Sequence, residues 1–255
     1  MPRYFIEVSY KGTRYSGFQL QQNALTIQSE VEKALAICFK KSISLTGSSR
    51  TDAGVHALQN FFHFDMQEDL LYKPTDYSKV EEGLKRSLYS LNSILPWDIV
   101  INSINKVEDN AHCRFDAISR EYKYQIYQNK NPFNKETGYF YPFKIDLSSL
   151  QNAADIILTT NDFTTFSKRN TQVNNFVCLI HKSKWDVEND LLIYSIIGNR
   201  FLRGMVRGLV GTMLQVGTGK ISLQNFNDII LSKDCTKADF SVPPQGLFLI
   251  EVLYR

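Results

Sequence analysis

The sequence has no apolar run that approaches the ~18 residues needed for a membrane-spanning helix. Residues 1–15 alternate polar and apolar side chains, so they also lack the apolar centre of a signal peptide. With 43% hydrophobic and 22% charged residues, the composition excludes a disordered chain or a fibre. We therefore expect a globular protein of the cytoplasm that has no membrane partner.

Cysteine is also scarce. The four cysteines are scattered as Cys38, Cys113, Cys178 and Cys235, without a C-x-x-C pair or a neighbouring histidine cluster. This distribution supports neither a disulfide framework nor a zinc site. A P-loop and a G-x-G-x-x-G fingerprint are missing as well. The sequence thus predicts no metal and no cofactor.

A strong excess of positive charge is missing too. The net charge of +3 falls short of the basic balance that by itself indicates nucleic-acid binding. Two segments nevertheless contain no acidic residue, and their basic residues are Lys168, Arg169, Lys182 and Lys184 in the first and Arg200, Arg203, Arg207 and Lys220 in the second. These segments form either a surface that follows RNA phosphates or two ordinary solvated stretches.

Hydrophobic periodicity supplies the elements of secondary structure. Period-two alternation predicts strands over 4–10, 57–64, 99–107, 121–127, 182–187 and 191–197, followed by a final strand. Three- and four-residue steps predict helices over 27–38, with Thr26 as N-cap, and over 80–91, 150–158 and 201–214. Hairpin signals outnumber regular strand–helix alternation, which favours an α+β fold with largely antiparallel sheets. We place a domain boundary in the polar stretch after residue 107, giving domains 1–107 and 108–255.

The predicted helix over 201–214 has an apolar face and a basic face. One carries an apolar stripe, and the other carries arginines at three- and four-residue steps, Arg200, Arg203 and Arg207. The helix also contains Gly204, Gly208 and Gly211, each of which costs about 1 kcal/mol relative to alanine. Their presence predicts the close approach of another backbone segment.

A short R-T-D-A-G stretch at residues 50–54 presents a carboxylate, Asp52, in a predicted turn before a strand. Taken alone, such a turn is typical of plain structure. The longer string at residues 47–57, GSSRTDAGVHA, resembles the catalytic loop of the TruA family of tRNA pseudouridine synthases. Further strings match the family in the same order: YSGFQ at 15–19, LPWDI at 95–99, RFDA at 114–117, REYKY at 120–124, DFTTF at 162–166, MVR at 205–207 and PPQGL at 243–247.

This resemblance implies a fold of two similar mixed subdomains flanking a basic central cleft. It implies an isomerase that converts uridine to pseudouridine in the anticodon stem-loop of tRNA, without a cofactor. The bond from ribose C1′ to N1 is broken and remade to C5. A homodimer that takes tRNA across both subunits is also implied.

The resemblance assigns Asp52 as the reacting carboxylate, either a nucleophile at C1′ or C6 or the promoter of a glycal-type intermediate. Arg207 corresponds to the family arginine that pairs with this carboxylate, although a phosphate contact from a basic helix face is the alternative. Arg50 corresponds to the arginine that enters the RNA helix as the base leaves it. A local ion pair is the alternative for Arg50.

The resemblance also assigns two residues to the pocket for the flipped base. Tyr122 corresponds to the tyrosine on which the base stacks. On periodicity alone, however, it is a core tyrosine that shares a strand face with Tyr124. Leu247 corresponds to an apolar wall of the pocket, and a buried strand leucine is the alternative.

The chain departs from the family pattern at two positions. Ser49 stands where the family usually has glycine, and Gly208 follows Arg207 where a polar residue is common. Neither change removes a reacting group. His56 lies inside the catalytic string but has no evident acid–base task, so we expect it to support the loop.

Two other functions remain open on the residues alone. A non-catalytic RNA-binding protein could use the 17 Phe and 13 Tyr as stacking platforms, although the RNP1 pattern is missing. A small-molecule hydrolase could use Asp52, but no second carboxylate or Ser/His pair stands beside it in an interpretable motif.

Overall fold

The computed structural model describes residues 1–67, 80–169 and 173–255. The chain forms two compact units, one of Met1–Ile118 with Glu251–Arg255 and one of Ser119–Ile250. The division therefore falls after Ile118, whereas the sequence suggested a boundary after residue 107. Residues 108–118 belong with the first unit because the Arg3 guanidinium donates to the carbonyl of Ala111 at 2.8 Å. The Ile118 N–H also donates to the carbonyl of Leu253 at 2.8 Å.

The first unit is built on an antiparallel sheet. Its strands are β1 (Arg3–Tyr10), β2 (Thr46–Gly47), β3 (His56–Asp65) and β4 (Ile99–Val107). β1 lies between β3 and β4 and pairs antiparallel with both, and β2 pairs antiparallel with β3. The final strand, β9 (Leu247–Leu253), contributes its last residues to this unit.

The described part of the first unit contains two α-helices, α1 (Ile27–Phe39) and α2 (Val80–Ile94). Thr26 caps α1 as predicted, because its hydroxyl accepts from the Ser29 N–H at 3.1 Å and the Ser29 hydroxyl accepts from the Thr26 N–H at 3.0 Å. The stripe of α1 is buried at Val31 and Leu35. α2 packs against β4 and α1.

The second unit repeats the combination of sheet and helices. Its strands are β5 (Ser119–Tyr127), β6 (Tyr139–Phe140), β7 (Ile180–Glu188) and β8 (Leu191–Gly198), with the first residues of β9 beside β5. β8 pairs antiparallel with β5 and β7, and β6 is parallel to β5. The β7–β8 hairpin turns at Asn189 and Asp190, whose φ angles are 50° and 64°. Both values suit a tight hairpin turn.

Among its described residues, the second unit has three α-helices: α3 (Leu147–Thr159), α4 (Met205–Gly217) and α5 (Leu223–Leu231). α3 packs against β7 and α4. The helix predicted from residue 201 begins only at Met205, because Gly204 precedes it with φ +75°. Arg200 and Arg203 therefore lie outside α4, and the predicted row of three helical arginines is wrong. The α5 helix was not predicted.

The predicted close approach to α4 is confirmed at one of its glycines. A Cβ on Gly211 would lie 2.2 Å from the carbonyl oxygen of Asp239, so the neighbouring backbone occupies the place of a side chain. The prediction of a mixed α/β fold with largely antiparallel pairing is also confirmed. Within the described residues, none of the helices is long and apolar enough to span a bilayer.

Candidate active site

Asp52 lies in the loop that connects β2 to β3. The turn predicted there is present, because the Val55 N–H donates to the Asp52 carbonyl at 3.2 Å and Gly54 has φ +78°. Thr51 and Val55 are buried, whereas Asp52 is half-buried. The turn thus presents the Asp52 carboxylate at the surface of the first unit, while the buried Thr51 and Val55 anchor the turn in the core.

The segment that precedes α1 clamps this loop. The Phe18 N–H donates to the Thr51 carbonyl at 3.1 Å, and the Gly54 N–H donates to the Tyr15 carbonyl at 3.3 Å. Gly17 has φ +108°, and a Cβ there would lie 3.0 Å from the Thr51 carbonyl oxygen. The YSGFQ string of residues 15–19 therefore serves as the backbone support of the Asp52 loop.

Asn60 holds the loop from the side of β3. Its side-chain oxygen accepts from the Ser49 N–H at 3.3 Å, and its amide nitrogen donates to the Ser49 carbonyl at 2.9 Å. The same nitrogen donates to the Tyr10 hydroxyl at 3.2 Å, which lies 2.8 Å from the Thr51 hydroxyl. Asn60 is completely buried. This hub was not foreseen, since a single asparagine inside a strand carries no motif.

His56 supports the loop, as expected. Its Nδ1 accepts from the Gly12 N–H at 3.0 Å, and the residue is buried. An Nδ1 that accepts carries no proton, so the ring is neutral in this arrangement. His56 thus joins the start of β3 to the short turn that follows β1.

Arg50 is exposed and lines a cavity of about 290 Å³ in the first unit. His112, Arg114 and Phe115 line the same cavity. Within the described residues Arg50 has no ion pair, so the alternative of a local ion pair gains no support there.

A histidine–cysteine cluster shares His112 with this cavity, although the sequence showed no histidine cluster near a cysteine. His63 on β3 meets His112 and Cys113, and their potential ligand atoms lie within 4.8 Å of one another. The His63 Nδ1 lies 3.1 Å from the Cys113 thiol and accepts from the Cys113 N–H at 3.3 Å. Burial, with the charges of His112 and Arg3, lowers the pKa of His63 to about 4. Because these groups already bond one another, we assign the cluster to support of the loop at 111–116.

Arg207 lies in the first turn of α4 in the second unit and is half-buried. Its Nε and Nη2 donate to the Val242 carbonyl at 2.9 and 2.7 Å, and Nη2 lies 3.4 Å from the Phe240 carbonyl. These bonds fix the plane of the guanidinium. An arginine held in this way presents its charge in one direction.

Tyr122 lies near the start of β5 and is half-exposed. Its ring meets Phe201 edge-on, with centroids 5.0 Å apart. Tyr124, which shares its strand face, is instead fully buried and donates its hydroxyl to the Pro243 carbonyl at 2.7 Å. Burial raises the pKa of Tyr124. Periodicity alone predicted a core tyrosine at both positions, yet only Tyr124 is one.

The segment at 240–247 links the candidate residues of the second unit. The Val242 carbonyl accepts from the Arg207 guanidinium, and the Pro243 carbonyl accepts from the Tyr124 hydroxyl. The turn Pro244–Gly246 leads directly into Leu247. Leu247 is buried at the start of β9. The PPQGL string therefore has a structural role that composition did not reveal.

Two of the predicted basic residues have acidic partners. Lys182 lies 3.7 Å from Glu121, and Lys184 pairs with Asp186 on the same strand. Of the other members, Lys168 lies 6.0 Å from the centre of the Phe240 ring. For Lys182 and Lys184 the structure favours the solvated-surface interpretation over phosphate binding.

The chain is similar to known proteins along its whole length. A model of the family described as tRNA pseudouridine synthase matches residues 153–255. A protein named tRNA pseudouridine synthase A from Parabacteroides distasonis is 41% identical over 254 residues, which cover 100% of this chain and 96% of that protein. The chain belongs to the tRNA pseudouridine synthase family.

Two further relatives agree with this assignment. Synthases of the same name from Bacteroides fragilis and Staphylococcus aureus are 41% and 33% identical over 253 and 252 residues. They cover 99% and 98% of this chain, and the chain covers 96% and 90% of them. As a tRNA pseudouridine synthase, the protein is an isomerase that acts on tRNA uridines.

Proposed function

We propose that this synthase modifies uridines of the tRNA anticodon stem-loop and that Asp52 is its reacting carboxylate. The observation that carries the proposal is the anchoring of the Asp52 loop. Backbone bonds from Tyr15 and Phe18, together with the buried Asn60, hold a half-buried carboxylate at a fixed turn. A reacting group needs such preorganisation, because misplacement by about 1 Å can cost about 100-fold in rate.

The proposed reaction is balanced without any co-reactant. The C1′–N1 bond breaks, a C1′–C5 bond forms, C5 releases a proton and N1 takes one up. An ionised Asp52 either attacks the nucleotide or promotes a glycal-type intermediate, and it is regenerated in both routes. The target base must first leave its stack, at a cost of a few kcal/mol.

The remaining residues have proposed roles that rest on the family resemblance and on their surroundings. We assign Arg207 to keeping Asp52 ionised, which its rigid guanidinium suits. Tyr122 is assigned to stacking with the flipped base, since its side chain is not fully buried. Leu247 forms an apolar wall, and Arg50 enters the RNA helix.

Tritium release tests the proposal. Transcripts of tRNA labelled at uracil C5 are incubated with the wild-type enzyme and with Asp52→Asn, and label in the solvent is counted. We expect Asp52→Asn to lose release by at least about 100- to 10,000-fold while it still binds tRNA, because the amide cannot serve as base or nucleophile. Asp155→Asn, an exposed change on α3, is the matched control and keeps full release.

Positions of modification are read from the product by mapping pseudouridine along the tRNA. Label released from sites outside the anticodon stem-loop would contradict the proposed substrate region, and full release by Asp52→Asn would contradict the proposed role of Asp52. Tight tRNA binding without any release by wild-type enzyme would favour the alternative of a non-catalytic RNA-binding protein.

We also propose a homodimer in the cytoplasm, on the resemblance alone. Size-exclusion chromatography with light scattering measures the mass of the particle. A mass near twice the 29.4 kDa of the chain supports the dimer, and a monomer at the concentrations used in the assay contradicts it.

A further inference from the structure

An exposed aromatic ring stands at the mouth of the cavity in the first unit. Phe115 is 72% exposed, although Cys113 in the same loop is completely buried. The Arg114 guanidinium carbon lies 5.6 Å from the centre of its ring, and the His112 ring lies 4.2 Å away. Most of the phenyl surface therefore faces solvent beside a cation. Core packing does not account for a large apolar side chain in this position.

The loop that carries Phe115 is held by a dense set of hydrogen bonds. The Asp116 carboxylate accepts from the His112 N–H at 2.6 Å, and His112 Nδ1 accepts from the Arg114 N–H at 3.1 Å. Cys113 is fixed on both sides, since its N–H donates to His63 at 3.3 Å and its carbonyl accepts from the Tyr254 hydroxyl at 2.5 Å. The exposed ring thus belongs to a preorganised loop, which reduces the entropy lost when a ligand binds.

The cavity beside this ring has the charge and size for a small anionic ligand. Its volume of about 290 Å³ lies at the lower end of the range for ligand pockets. Arg50 and Arg114 both line it, and among the described residues that form its wall there is no carboxylate. Gly47 lies on its floor, where the ring of Phe18 leaves no space for a Cβ.

Cations beside an accessible aromatic face are the chemistry that binds nucleotides. Arginines neutralise the phosphate, and each of the four bases has a π face that can stack on an aromatic ring. A purely anionic ligand would make no contact with the phenyl ring, and an apolar ligand would make no use of the positive charges that line the cavity. A nucleotide uses both features at once.

We propose that this cavity binds one nucleotide of the substrate RNA other than the target uridine, with its base stacked on Phe115 and its phosphate beside Arg114. The site provides affinity and register, not chemistry. The inference rests on the proposed function in one respect, since it needs tRNA as the ligand.

The test compares the dissociation constant of an unmodified tRNA transcript among variants by filter binding. Phe115→Ala weakens binding by about 5- to 150-fold, the range that one stacked base contributes. Phe115→Leu keeps an apolar side chain but loses the aromatic face, so it weakens binding to a similar degree. Phe115→Trp keeps an aromatic face and binds tRNA as tightly as the wild type. Phe133→Ala is the matched control, because Phe133 is 89% exposed on the second unit and is not part of the cavity.

Arg114→Gln separates the phosphate contact from the stack. It lowers the slope of log K against log salt by about 1, while Phe115→Ala leaves this slope unchanged. In the tritium-release assay both variants raise KM and leave kcat near the wild-type value, because they remove binding that is equal in the ground and transition states. Circular dichroism checks that each variant is folded.

The two proposals fail in different ways. If wild-type enzyme releases no tritium, the proposed function falls. If wild-type enzyme is active but Phe115→Ala, Phe115→Leu and Phe133→Ala all bind tRNA within twofold of it, the nucleotide site is wrong while the proposed function stands. If Phe115→Trp binds tRNA as weakly as Phe115→Ala, the stacking role is also wrong.

Discussion

Replacing Asn60 by alanine tests whether the buried hub sets both the stability and the activity of the Asp52 loop. The change removes four hydrogen bonds. The side-chain oxygen accepts from the Ser49 and Phe61 N–H groups at 3.3 and 2.9 Å, and the nitrogen donates to the Ser49 carbonyl and the Tyr10 hydroxyl at 2.9 and 3.2 Å. Each is worth about 1 kcal/mol net, so we expect the free energy of unfolding to fall by about 3–4 kcal/mol. This is a large fraction of the ~5–15 kcal/mol typical of a folded protein.

Urea denaturation followed by circular dichroism measures this loss, and tritium release measures the activity of the protein that remains folded. Since the freed loop positions Asp52 less well, kcat falls as well as stability. Leu58→Ala, an exposed change on the same strand, is the matched control and shifts the free energy of unfolding by less than about 0.5 kcal/mol. An Asn60→Ala enzyme as stable as the Leu58→Ala control would refute the reasoning.

Two further predictions concern pH and packing. The pKa of His63 is lowered to about 4, so its contribution to stability is present above its unfolded pKa of about 6.5 and is lost as the pH falls from there to about 4. Urea melts at pH 7 and pH 4 should differ by about 3 kcal/mol more in the wild type than in His63→Gln, and an equal difference would contradict the assignment. Gly211→Ala should lower the free energy of unfolding by about 1–3 kcal/mol, because its Cβ would meet the Asp239 carbonyl oxygen at 2.2 Å. Gly208→Ala, whose Cβ meets the rotatable ring of Phe240 at 2.7 Å, should cost less in the same urea melts, and the reverse order would count against this account.

Most elements of the fold could be predicted because their signals are local. Strand β4 was predicted with its observed ends, and the Thr26 cap of α1 forms the bonds its position suggested. The predicted start of α4 was wrong. The apolar stripe begins at residue 201, but Gly204 has a positive φ, so the helix begins only after it. A two-residue strand such as β2 has no period to detect, and it forms only because β3 is there to pair with it.

The candidate site divides in the same way. Motif strings predict Asp52 and Arg207 as site residues from residue type and order, without any knowledge of the fold. They did not identify Asn60 or the His63 cluster. His63 and Cys113 are far apart in the chain, and their contact depends on the loop after β4 folding back onto β3.

The sequence by itself determined the periodic strands and helices, the presented carboxylate and the family, because each depends on residues within a few positions or on a string read in order. Only the tertiary structure decided which buried side chains hold the Asp52 loop, which of two tyrosines on one strand face is buried, and which cavity an exposed phenyl ring lines together with two arginines. These depend on packing between segments that are distant in the chain, and the energy of such contacts exists only after the chain has folded.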